Sequence, residues 1–194
     1  MLAGCTGRLP GTGPRQIDAT ETVTEREIVW RYPPTEVDTD GIGYAAIGID
    51  RVSQRGASGP ILHMRFNSTV GGVTAGESYQ GFEADWFRFR IGPPATYPSD
   101  QALELRVQPP TWPGIELSYD HMSGSRHLVV ESEHIGSAGT IEVPIVVAGG
   151  GEALPERLTV QSTVQASRPG LLERPMRMSA RGSLPLGPLD SPGE

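Results

Sequence analysis

The residues of this chain best suited to chemistry are its four histidines, His63, His121, His127 and His134, with the carboxylates near them. His127, Glu131 and Glu133 stand at i, i+4 and i+6, so on an extended segment all three leave by one face. An imidazole with two carboxylates suits zinc or calcium. The same spacing also describes a solvated strand face with Leu128 and Val130 turned inward. No second cluster at metal spacing supports a site, so that plainer reading is preferred and no metal is expected. His63-Met64 and His121-Met122 pair imidazole with thioether, and Met176 and Met178 add sulfur, a donor set that suits Cu(I). Neighbouring strand residues point to opposite faces, so neither pair chelates from one side. The methionines read better as core filler.

A second candidate is the stripe Trp86, Arg88, Arg90. These alternate with Phe87, Phe89 and Ile91 and form an aromatic and cationic face that suits a sugar or an acidic ligand. A bare solvent face, or one covered by the N-terminal segment, has the same pattern. Trp112, in a Pro-rich loop, is either an exposed contact or a plug for one end of the fold. Asn67-Ser68-Thr69 is a glycosylation sequon and holds the only asparagine.

Nucleophilic catalysis has no local signature. Gly56-Ala57-Ser58-Gly59-Pro60 lacks the final glycine of a nucleophile elbow. All 16 basic residues are arginine, so no lysine exists for a Schiff base or a P-loop. No catalytic residue and no cofactor are expected. Triads and carboxylate pairs assembled only in space leave no mark in sequence. The net charge of −7 argues against a nucleic-acid partner, which attracts clustered arginine and lysine. Arginine in place of lysine, with asparagine nearly absent, is the pattern that GC-rich coding produces. Cys5 is the one cysteine, so no internal disulfide forms.

The elements that must position these residues are short and extended. Apolar alternation runs through Thr20–Tyr32, Tyr44–Val52, Ile61–Val70, Ser78–Ile91, Ala102–Val107 and Ile115–Tyr119. It continues through His127–His134, Thr140–Val147, Arg157–Val164 and Met176–Ala180. Val23, Ile28 and Trp30 are expected to share the inward face of the first run. Glycine (25) and proline (18) fall between the runs as turn signals. The pattern predicts an all-β, antiparallel sandwich of about nine or ten strands over residues 19–181. Residues 1–18 are expected to be a flexible tether and 182–194 a loose tail.

Two resemblances extend this reading. From about Ala75 to Gln165 the segment order resembles bacterial and archaeal Ig-like modules of the NEW3 or surface-repeat kind. The likeness is carried by Ala75-Gly76-Glu77, by Leu103–Val107 leading to Pro110-Thr111-Trp112-Pro113-Gly114, and by Ser137–Val147 and Leu158–Val160. It implies an Ig-like sandwich serving as an adhesive, spacer or accessory domain. Leu2-Ala3-Gly4-Cys5 resembles the lipobox of prokaryotic lipoproteins. That resemblance implies diacylglyceryl modification of Cys5, a membrane partner through the lipid, and a place in the cell envelope outside the cytoplasmic membrane. Only Met1 precedes the motif, whereas the family has a basic and an apolar stretch there, so the expectation includes an upstream start.

The expected function is a non-catalytic envelope lipoprotein that binds a protein or glycan or builds structure. The alternatives are a metal or small-ligand carrier on the same fold, a hydrolase with a dispersed site, and a virion or appendage component.

Overall fold

The computed structural model describes residues 13–33, 41–54, 59–71, 75–98, 103–109, 114–122, 124–136, 139–149, 154–170 and 174–187. Twelve strands occupy most of them: β1 (Arg15–Ile17), β2 (Thr20–Val23), β3 (Glu27–Tyr32), β4 (Gly43–Gln54), β5 (Pro60–Val70) and β6 (Glu83–Gly92). They continue as β7 (Leu103–Val107), β8 (Ile115–Met122), β9 (Ser125–Gly136), β10 (Thr140–Gly149), β11 (Arg157–Ser167) and β12 (Met176–Pro185). A 3-10 turn, Glu77–Tyr79, precedes β6.

The strands form two six-stranded sheets. The first has the order β1-β12-β11-β6-β9-β8, the second β2-β3-β4-β5-β10-β7. Every pairing is antiparallel except β1 with β12, which is parallel. The all-β sandwich expected from the alternation is the fold observed. One core fills the space between the sheets. Phe87, Phe89 and Ile91 of β6 and Leu62, Met64 and Phe66 of β5 are all buried in it. Phe66 stacks across the gap, its ring centroid 4.0 Å from that of Phe89 and 5.2 Å from that of Phe87.

Four details differ from the expectation. The run Thr20–Tyr32 is a hairpin rather than one strand. Its turn closes because the Thr24 hydroxyl accepts from the Glu27 amide (3.1 Å), while the Thr24 amide donates to the Glu27 carbonyl (2.8 Å). Val23 is exposed, since β2 is an edge strand, while Ile28 and Trp30 are buried. Residues 15–17, read as tether, add β1 alongside β12. The stretch from 182, read as tail, begins inside β12, where Gly182, Ser183, Leu184 and Pro185 still pair with Val160, Thr159, Leu158 and Arg157. Strands β2 to β5 lie in one sheet with β10 and β7, so residues before Ala75 share the core of those after it.

Candidate functional site

The outward face of the first sheet carries the Trp86 stripe. Cross-strand register lays out its neighbours. Trp86 sits between Gln165 on β11 and Glu133 on β9. Arg88 lies between Thr163 and Glu131, and Arg90 between Gln161 and Val129. On β8, Glu116 stands opposite Glu131 and Asp120 opposite His127.

Both ladders of β6 shift register at Asp85, immediately before Trp86. Such bulges re-aim the side chain beside them. The Asp85 carboxylate accepts from the Ser167 hydroxyl at 2.7 Å, which ties the bulge to β11. Trp86 emerges half-buried. The Arg177 guanidinium lies 6.0 Å from its ring centre, at the outer limit of a cation–π contact. Beside the ring opens a groove of about 340 Å³ lined by Trp86, Gly114, Glu116, Glu131, Ser132 and Glu133.

The two arginines of the stripe do not face that groove as free cations. Arg90 Nη2 bonds to Asp120 Oδ2. Arg88 lies 3.5 Å from Glu131 and 3.8 Å from Asp120. Because β9 runs between β6 and β8, the Arg90–Asp120 pair arches over it. The arch covers Val129 and His127, which point outward and are nonetheless buried. Both faces of β9 are therefore apolar or enclosed near its start, whereas the alternation predicts an outward side open to water.

His127 shows the consequence. Its ring is 1% exposed and lies over Gly92, whose missing side chain makes the room. Its Nδ1 is 3.0 Å from the Ser125 carbonyl, and its Nε2 has no hydrogen-bond partner. Burial holds its pKa below the usual 6.5. Arg90 pushes the same way, against the Ser125 and Pro93 backbone and Asp120. His127, Glu131 and Glu133 share a face as their spacing requires, but they do not converge. His127 is folded onto Gly92 and Glu131 is paired with Arg88. Among the described residues no group of three or more His, Cys, Asp or Glu side chains is placed to hold a metal.

The remaining candidates are scattered. His63 faces outward on the second sheet, with Nε2 3.0 Å from the Ser53 hydroxyl and 3.4 Å from Arg51. His121 is exposed on β8. Asn67 lies within the central strand β5, between Ala46 and Glu142, and its Oδ1 is buried without a partner. Cys5 and Trp112 lie outside the described residues. A second hollow, of about 300 Å³, was not anticipated. Pro94, Thr96, Tyr97 and Pro98 meet Leu154, Pro155, Glu156 and Arg157 there. The proline-rich stretch after β6 carries the turn signals that separate the runs, but its partner across the fold has no mark in the sequence.

No family model and no curated protein matches the chain. Solved structures with some likeness include a cohesin module of a family 33 glycoside hydrolase from Clostridium perfringens. It shows 10% identity, 74% of this chain and 96% of that one covered, and a TM-score of 0.40. AvmM, which catalyses macrocyclisation in alchivemycin A biosynthesis, shows 12% identity, 81% and 93% covered, and a TM-score of 0.38. The Actinomyces fimbrial adhesin FimA shows 14% identity, 64% and 49% covered, and a TM-score of 0.30. Likeness at this level brings no activity, ligand or partner across to this chain.

Proposed function

We propose that the chain is a non-catalytic binding module of the cell envelope, tethered by a lipid on Cys5, which grips a sugar through Trp86. The observation that carries the ligand class is the groove beside Trp86. A flat indole with carboxylates of Glu116, Glu131 and Glu133 around it is the arrangement that stacks on a pyranose face and accepts its hydroxyls. An acidic ligand fits less well, because Arg88 and Arg90 are engaged by Asp120 and Glu131. The tether rests on the Leu2-Ala3-Gly4-Cys5 motif and the Gly- and Pro-rich stretch after it.

A glycan array probed with the full chain and with Trp86→Ala tests the ligand. The reading expects glycan signals that fall about tenfold or more in the variant, with an unchanged far-ultraviolet spectrum. Absence of signal from the parent chain, or equal signal from both, would overturn it. Expression from the genomic locus tests the tether. The protein should partition into detergent, and Cys5→Ser should move it to the aqueous phase.

A further inference from the structure

We infer that the free edge of β8 is a strand-addition site for an extended segment of another protein that alternates apolar and basic residues. The inference goes beyond the sugar reading and does not need Trp86.

The two sheets have four edges. β1, β2 and β7 are three, four and five residues long, whereas β8 has eight. Shortness blunts an edge, as do proline and lysine. β8, Ile115-Glu116-Leu117-Ser118-Tyr119-Asp120-His121-Met122, has neither. Its eight residues pair with β9 on one side, and among the described residues no strand pairs with the row of backbone donors and acceptors on the other.

The inward face of β8 is covered at Ile115, which packs against the core, and left partly open beyond it. β7, the edge of the opposite sheet, lies against β9 and meets β8 at the Tyr119 hydroxyl, so β8 partly overhangs the second sheet. Leu117 and Tyr119 point beneath this overhang and remain 50% and 43% exposed, although they share the inward side with Leu128 and Val130. The Tyr119 hydroxyl donates to the Leu105 carbonyl of β7 at 2.7 Å, and Arg126 caps its ring at 3.8 Å. These contacts fix the position of the Tyr119 ring beside the exposed Leu117. A strand added beside β8 would place every second side chain under the overhang, against Leu117 and Tyr119.

Charge selects the occupant. On the outward side the added residues would face Glu116, Ser118 and Asp120, with Glu131 and Glu133 behind them; Asp120 and Glu131 are already paired with Arg88 and Arg90, so the charge offered to a partner is chiefly that of Glu116 and Glu133. Glu116 is exposed, stands opposite another glutamate, and forms no ion pair among the described residues. A basic residue across from it relieves that repulsion. A second copy of the chain does the opposite. Antiparallel self-pairing centred on Ser118 would set Glu116 against Asp120 twice, between partners that each carry −7. That register is disfavoured between two copies, and the exposed Glu116 favours a cationic residue from a different partner.

The probe is a short capped peptide of alternating valine and arginine, titrated into the isotopically labelled full chain. Controls are the valine–glutamate analogue and a block-ordered peptide of the same valine–arginine composition. Shifts and new amide-exchange protection should map to β8. Affinity should fall about tenfold or more for either control and for Leu117→Arg. Glu116→Arg should invert the preference between the basic and acidic peptides. Leu117 and Glu116 are both exposed, so neither variant threatens the core. Trp86→Ala should leave this binding unchanged, which separates it from the sugar reading. No binding, shifts away from β8, indifference to peptide order, or a β8-mediated dimer in solution would overturn the inference.

Discussion

His127 is the residue whose state most clearly depends on its surroundings. Burial favours its neutral form in the folded chain and lowers its pKa below the usual 6.5 of the unfolded chain. Between 6.5 and the lowered folded value the unfolded state binds more protons, so stability is lost as pH falls through that window. Thermal midpoints of the parent chain should therefore drop below pH 6.5 more steeply than those of His127→Gln. Parallel curves would contradict the assignment. The neighbouring glycine offers a second test. A Cβ on Gly92 would fall 2.3 Å from His127 Cδ2, with the ring held between strands. Gly92→Ala should cost about 1–3 kcal/mol in chemical denaturation, and His127→Ala in the same chain should recover part of it. None of this was legible in the sequence. The alternation correctly turned His127 outward with Glu131, but its burial comes from Arg90 and Asp120 on two other strands.

At the level of elements the sequence was far more informative. Each of the ten alternating runs contains a strand, because a half-buried strand imposes its period on the side chains directly. Phe87, Phe89 and Ile91 are all fully buried, as their spacing required. The misses have physical causes. β1 is three residues long and exists only through parallel pairing with β12, a partner some hundred and sixty residues away. The break between β2 and β3 depends on the Thr24 hydroxyl, whose bond is local but has no apolar signature. The contact of Phe66 with Phe87 and Phe89 pins β5 to β6 across the core. Phe66→Ala should lower stability by about 3–5 kcal/mol, read from urea midpoints. A loss below about 1 kcal/mol would mean the two sheets are not packed at this point.

For the whole molecule, the sandwich separates two kinds of surface. Side chains between the sheets are sealed into one core except at the β8 edge, and the outward face of the first sheet is left polar, ridged by the Arg90–Asp120 arch and grooved beside Trp86. Strand order, which the sequence does not carry, decides the rest. It places β8 at an overhanging edge, and it brings Glu116, Glu131 and Glu133 around an indole from a third strand. The stripe Trp86, Arg88, Arg90 was legible as a face. Its division into an engaged cationic part and an open aromatic part was not, since Asp120 and Glu131 reach it only through sheet pairing.

Hydroxyl-radical footprinting of the full chain, with and without the glycan that the array selects, tests the central claim most directly. Trp30, 1% exposed, is the internal reference for a sealed indole. The account predicts that Trp86 oxidises readily in the free chain and about tenfold more slowly when glycan is bound, while Trp30 stays inert in both. A Trp86 that is as inert as Trp30, or that oxidises at the same rate under saturating glycan, would contradict it.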